Sequence, residues 1–440
     1  MSTPARPIPN HRDVLAIAVP IMLSNVSTPL IGIVDTAVVG RIPDPAYIGA
    51  VAVGSLIFTF VFWAFGFLRM GTTGMTAQAL GGGDAEEIFS GLGRALLIAV
   101  AAGASLILLQ WPIRVIAFDL LDASAQVESL ARGYFDVRIW AAPAALANYA
   151  LLGWFVGLGR TRTGLILQLI LNLTNMALDV LFVLGFGWDV RGVAAGTVIA
   201  EWVAAAAGIA IALRHARRMH GSISLDRMLA PARLRRTIAV NGDIMIRSLA
   251  LMFVFVWFMA QGAAQGEVVL AANAVLMQFI SVSAFFLDGI AFATESLVGR
   301  ALGAAHRAAL RIAARLTTSW AAGTALLLTL ILSISGPMLI DLLTVDEQTR
   351  EVARRYLPWA ALGPIAGVWS FQLDGIFIGA TRTAQMRNAM LESLAIFLAG
   401  WWLLRPLGNH GLWAALFIHY AARMVTLYRY YPALQRSVPE

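Results

Sequence analysis

Phe155-Val156-Gly157-Leu158-Gly159-Arg160-Thr161 and Phe377-Ile378-Gly379-Ala380-Thr381-Arg382-Thr383 are two versions of one phrase. Each closes a long apolar run and opens a basic turn. Ala79-Leu80-Gly81 and Ala301-Leu302-Gly303 lie at the same offset, and Pro20-Ile21-Met22 and Asp243-Ile244-Met245 lie one residue further apart. A nearly constant offset across half a chain marks a duplicated unit. Its halves are built from apolar runs. A bilayer-spanning helix needs about 20 mostly apolar residues, and twelve stretches meet that length: roughly 14–40, 48–79, 92–117, 130–158, 163–186, 192–213, 236–262, 268–298, 310–335, 352–379, 385–405 and 409–430. Six fall in each half. An even number returns the chain to its starting side, so both halves share one orientation. The expected fold is an all-α polytopic membrane protein with twelve transmembrane helices in two pseudo-symmetric six-helix lobes, related by an axis along the membrane normal.

Composition agrees. Hydrophobic residues make up 59% of the 440 and charged residues 13%, against about 25% charged in a soluble domain. Mean hydropathy is +0.75. The net charge is +7, and every basic side chain other than His is Arg. The arginines sit in short caps between apolar runs, which points to membrane topology and away from nucleic acid. With no Cys, disulfides, thiolate metal sites and thiol redox centres are excluded. The first apolar run has no small-residue cleavage site, so no cleaved signal peptide is expected.

Cytoplasmic loops carry excess Lys and Arg. Placing the N-terminus inside puts Arg94, Arg160, Arg162, Arg300, Arg307, Arg382, Arg387 and Arg429 on inner segments. The outer loops then hold Asp119, Asp122, Glu128, Asp341, Asp346 and Glu347, and the outer Arg350, Arg354 and Arg355, which run against the bias, are offset by these nearby acids. Both termini are thus expected in the cytoplasm of a bacterium, with the chain in the inner membrane. The expected organisation is an N-terminal lobe over 1–213, a basic cytoplasmic linker over 214–235 containing Pro231, and a C-terminal lobe over 236–440.

An ionisable residue inside a span costs about 2.5–3.5 kcal/mol on insertion scales. Asp35 lies in the first span and Asp179 in the fifth. Asn175 and Asp179 are four residues apart on one helical face, and Asn172 continues that stripe. Two amides and a carboxylate on one face must look into the bundle, where they can bond a protonated carboxyl or offer oxygens to a small cation. The alternative is a packing cluster of polar groups. Pro20 lies mid-span, with Pro29 nearer Asp35, and each removes a backbone hydrogen bond where a helix can bend. Further candidates for a cavity are Asn148, Thr197, Asp288 and Asp374, with Glu201, Glu295, Arg69, Arg138 and Arg247 also within spans. The repeat equivalents of Asp35 and Asp179 fall near Phe258 and Trp401, so this acid pair is confined to the first half. No nucleotide loop ending in Gly-Lys-Ser/Thr is possible without Lys, His-Glu-x-x-His is absent, and nothing suggests an enzyme or a metal site.

Pro20-Ile21-Met22, Val34-Asp35-Thr36, Asn175 to Asp179, Gly192 to Thr197, Leu373-Asp374-Gly375 and Gly379 to Arg382 together resemble the multidrug and toxic compound extrusion (MATE) family, in its DNA-damage-inducible F (DinF) branch. The resemblance covers essentially the whole chain. It implies export of hydrophobic or cationic drug-like molecules against inward flow of H⁺ or Na⁺. A self-contained two-lobe transporter can work as a monomer, and a monomer is expected, with membrane lipids as its other partners, no nucleic acid and no cofactor beyond the coupling ion. The resemblance implies a coupling site at Asp35, Asp179 and Asn175 beside a bending first helix at Pro20, with Asn148 and Thr197 nearby. Where relatives can carry a second Asn one turn after Asn148, this chain has Leu152, which favours H⁺ over Na⁺. A lipid-linked precursor flippase of the same superfamily and a non-transporting membrane receptor or assembly factor are the competing readings.

Overall fold

The computed structural model describes residues 8–121, 123–219 and 224–439; Arg6 and Asp122 lie outside them. Among the described residues there is no strand. The order is α1 (His11–Val39), α2 (Pro45–Ala64), α3 (Phe67–Gly81), α4 (Ala85–Leu108), α5 (Gln110–Leu120), α6 (Ala125–Arg138), α7 (Ala142–Gly157), α8 (Thr161–Asp179), α9 (Val190–Met219), α10 (Leu225–Leu229), α11 (Pro231–Ala263), α12 (Glu267–Gly303), α13 (Arg307–Leu343), α14 (Glu347–Gly379), α15 (Thr383–Leu404), α16 (Asn409–Tyr428) and α17 (Tyr431–Arg436). Eleven helices among the described residues are long and apolar enough to cross a membrane, counting α2–α3 as one and α6–α7 as one. The twelfth expected stretch is helical too, as α16, which carries His410, His419 and Arg423 and is less apolar.

Several spans depart from plain helix, three of them near polar positions. The second breaks at Phe65-Gly66. The fourth tightens to a 3₁₀ turn over Ile139–Ala141, just before Pro143. The fifth loosens after Asp179 into a π-helical turn, Val180–Gly185. Such turns often mark functional positions. Large apolar side chains such as Ile334, Leu342 and Leu173 stand exposed along the helices, as a surface covered by hydrocarbon allows.

The chain divides into two compact units. One comprises the described parts of Leu23–Thr76 and Asp84–Ile238. Its interior includes Trp154, wholly buried, whose indole N–H donates to the Ile88 carbonyl at 3.0 Å. The basic segment before α11 is tied down in this unit. Arg227 on α10 bonds Asp84 at 2.9 Å and Glu86 at 3.1 Å. Glu87 pairs with both Arg94 and Arg233.

The other unit comprises the described parts of Met1–Met22, Ala77–Gly83 and Ala239–Glu440. Phe258 and Trp413 meet edge to face at 5.0 Å in its core. Asn273 and Asn409 exchange amide hydrogen bonds of 2.8 and 2.9 Å, and the Trp413 indole N–H donates to the Asn273 oxygen. In the same unit the Arg300 carbonyl occupies the place a side chain on Gly81 would take, and the Gln78 carbonyl does the same opposite Gly303. Only glycine permits two helix ends to approach so closely.

Candidate functional site

In the first unit, α1 brings Asp35 and α8 brings Asp179 into one buried cluster. Asp35 is 7% exposed, Asp179 and Asn175 are fully buried, and Thr197 on α9 closes the side. The two carboxyls face each other within interaction range, with Asn175 beside them. The amide of Asn175 donates to the Thr197 hydroxyl at 3.2 Å, and that hydroxyl donates to the Val193 carbonyl at 3.0 Å. Neither oxygen of Asp179, nor Asp35 Oδ1, nor Asn175 Oδ1 receives an aligned N–H or O–H from the described residues. Four buried acceptor oxygens on these three side chains therefore lack an aligned donor. Burial of such oxygens is expensive, so the cluster is suited to a proton or a small cation.

Gly196 makes the cluster possible. A Cβ at that position would overlap Asp179 Oδ1 and would stand 3.3 Å from Leu178 Cβ. The missing side chain leaves room for the carboxyl between α8 and α9.

Asn172 lies one turn earlier on α8 and has a different task. Its amide donates to the Ser27 carbonyl and hydroxyl, each at 3.1 Å, and its oxygen accepts from Gln168 at 2.7 Å. It ties α8 to α1 rather than joining the acids. In α1 the Ser27 and Thr28 hydroxyls both donate back to the Ser24 carbonyl, at 2.7 and 3.3 Å. Back-bonding of this kind bends helices, and here it falls just before Pro29.

Asn148 stands apart from the acid pair. Its amide donates to Glu201 at 2.8 Å, and Arg138 lies 4.0 Å from the same carboxylate. Arg138 also packs its guanidinium over Phe58, 5.6 Å from the ring centre. Its charge acts on Asp35 and Asp179 as well as on Glu201. Arg138 thus links the two polar clusters electrostatically. Its position inside an apolar run singles it out in the sequence; its partners, on distant helices, do not show there.

Pro20 is buried in α1, in the part of that helix belonging to the second unit. In that unit Asp374 on α14 is held by two arginines, Arg247 of α11 and, at 2.5 Å, Arg423 of α16. All three are buried. The carboxylate that sequence alone offers as a cavity acid is thus a counter-charge, and the triad keeps one excess positive charge. Asp288 is half-buried on α12, and Glu295 is buried on the same helix.

Comparison with known proteins agrees with this architecture. The family model described as MatE matches twice, over residues 20–181 and 244–403, one match in each half of the repeat. The DNA damage-inducible protein F of Escherichia coli K12 is 40% identical over 413 residues, covering 93% of this chain and 90% of that protein. A probable multidrug resistance protein NorM of Deinococcus radiodurans is 26% identical, covering 92% and 91%. A crystal structure of MATE in the bent conformation superposes with a TM-score of 0.87 at 18% identity, over 97% of this chain and 96% of that one, which establishes likeness of fold. The chain is a multi-pass membrane protein that belongs to the MatE family of transporters.

Proposed function

We propose that the protein is a secondary antiporter of the inner membrane that exports hydrophobic or cationic compounds in exchange for protons, working as a monomer by alternating access. The observation that carries this reading is the meeting of the buried Asp35 and Asp179 carboxyls beside Asn175, with four oxygens of the three side chains lacking an aligned donor. A proton shared by the two carboxyls turns one of them into a donor and removes a buried negative charge. The names of the relatives, a multidrug resistance protein among them, support the substrate class.

In the proposed cycle Asp35 and Asp179 take up a proton from the outer side. Loss of charge weakens the pull of Arg138 on the pair. The first helix then bends where Ser27 and Thr28 already compete for the Ser24 carbonyl and where Pro20 and Pro29 interrupt the hydrogen-bond ladder. Bending reshapes the cavity and releases substrate outward. Release of the proton to the inside resets the cycle. A proton gradient drives this only if the two states differ in proton affinity, and moving the Asp35 carboxyl relative to Asp179 supplies that difference. Na⁺ could be held by the same oxygens, but Leu152 in place of a further amide leaves fewer ligands for it.

The test is made in vesicles with an imposed pH gradient and a lipophilic cationic dye. Dye-triggered proton movement is expected in the wild type and absent in Asp35→Asn. Full coupling in Asp35→Asn refutes the scheme. Movement that needs a Na⁺ gradient instead reassigns the ion. No movement with either ion favours the lipid-linked precursor flippase, for which the buried positive excess at Arg247 and Arg423 is the supporting feature.

A further inference from the structure

The second unit contains a cavity of about 800 Å³ that is separate from the Asp374 triad's ion pairs and has no part in the coupling scheme. It is a groove over α14, walled by α13 and α16 and capped by α17. Its two ends differ in chemistry. One is the end where α13 begins and α14 finishes, which the arginine distribution places on the cytoplasmic side. There Arg311 and Arg315 stand four residues apart on successive turns of α13, both exposed. No carboxylate among the described residues pairs with either, whereas Arg429, also on the rim, is taken by Glu392. Arg311 has the Tyr431 hydroxyl of α17 in its field. Deeper in, Leu373 and the exposed Trp369 of α14 give an apolar face, with Thr318 and Ser319 of α13 also on the wall, while Val425, three residues from the end of α16, lines the arginine end.

A buried polar group adjoins the groove at the depth of Arg315. Gln372 lines it and is 2% exposed. Its oxygen accepts from the Thr294 hydroxyl at 2.9 Å, and its Nε2 meets no acceptor among the described residues. Arg315 is eight residues into α13 and Gln372 seven from the end of α14. At about 1.5 Å per residue, both lie roughly 10–12 Å in from the same end. That is a short step below the headgroup level, where a phospholipid carries its ester carbonyls.

We propose that this groove holds an acidic phospholipid of the surrounding bilayer. The phosphate sits at Arg311 and Arg315, and one acyl chain runs inward along Leu373 and Trp369. Two unpaired arginines select a net-negative headgroup over a zwitterionic one, because a choline or ethanolamine cation would be repelled. The exposed apolar wall faces the medium that supplies acyl chains. The proposal rests on the membrane-spanning fold and is independent of proton coupling.

Native mass spectrometry of the purified full chain, titrated with phosphatidylglycerol, phosphatidylcholine and oleate, tests it. The wild type is expected to retain phosphatidylglycerol in preference to phosphatidylcholine. The Arg311→Gln/Arg315→Gln double variant is expected to bind phosphatidylglycerol roughly thirtyfold more weakly, two basic side chains' worth of attraction. Arg350→Gln/Arg354→Gln, at the opposite end of the unit, should be unchanged. If the double variant aggregates, the single Arg311→Gln should show a roughly fivefold loss. Equal phosphatidylglycerol binding by wild type and variants, no preference over phosphatidylcholine, or binding of oleate alone would each overturn the assignment.

Discussion

Replacing Gly196 by Ala tests the coupling site without touching either acid. The added methyl overlaps Asp179 Oδ1, while Leu178 Cβ at 3.3 Å and the Asp179 amide nitrogen at 3.4 Å close the other directions. The helix backbones on both sides are packed, so the carboxyl is the group that yields. It must retreat by about 1 Å to reach ordinary van der Waals separation. A 1 Å misplacement of a reacting group can cost about a hundredfold in rate. Stability should move little: Ala in a helix gains about 1 kcal/mol over Gly, and overpacking costs about 1–3 kcal/mol. The assay is dye-triggered proton flux in vesicles, with thermal unfolding of the same preparations. Gly196→Ala should lose at least tenfold in flux while staying folded. Gly323→Ala, on α13 with open space around it, is the control and should transport normally. Transport by Gly196→Ala at half the wild-type rate or more refutes the claim that the exact seat of the Asp179 carboxyl matters.

Asp374→Asn strands Arg247 and Arg423 in the interior and should cost about 3–5 kcal/mol, seen as a large drop in unfolding temperature; wild-type stability would show that the triad is not what neutralises these arginines. Asp35→Asn, by contrast, removes a poorly satisfied carboxylate and should unfold at or above the wild-type temperature even though it does not couple. Asn172→Ala breaks both bonds to Ser27 and should cost about 1–2 kcal/mol, with proton flux reduced but its ion preference intact; an unchanged unfolding temperature would mean that α1 and α8 are held elsewhere. Gly303→Ala drives a methyl into the Gln78 carbonyl, and because backbone cannot rotate away it should lose about 3 kcal/mol or more, measurable as poor recovery and early unfolding.

Much of this was legible in the residue pattern. Apolar run length located the membrane helices because the bilayer fixes one dimension. The break at Phe65-Gly66 was not legible, since an apolar aromatic beside one glycine reads the same inside a straight helix as at a break. The cost of a buried charge singled out Asp35 and Asp179, and helical spacing put Asn175 with them. Spacing also put Asn172 there, and it points instead to Ser27: a stripe defines a face, but a neighbouring helix decides which residues on that face meet one another. Asp374 carried the same signal as Asp35 and has the opposite surroundings, because its two arginines arrive from α11 and α16, far away in sequence. Gly196 stood inside the Gly192 to Thr197 motif, but nothing in the residue pattern showed that its missing side chain makes room for the Asp179 carboxyl.

The contact between Gly81 and Arg300 has a counterpart between Gly303 and Gln78. Gly81 and Gly303 hold equivalent places in the two halves of the sequence, and so do Gln78 and Arg300. At this point the chain touches itself as the subunits of a symmetric homodimer do, each copy of a patch meeting the other. A substitution at either glycine therefore meets the same obstacle, the carbonyl of the equivalent residue from the other half. Elsewhere the halves differ, with acids in the first where the second has Phe258 and Trp401. The pseudo-symmetry of the chain is thus a physical contact at this crossing and only a shared scaffold at the acid pair.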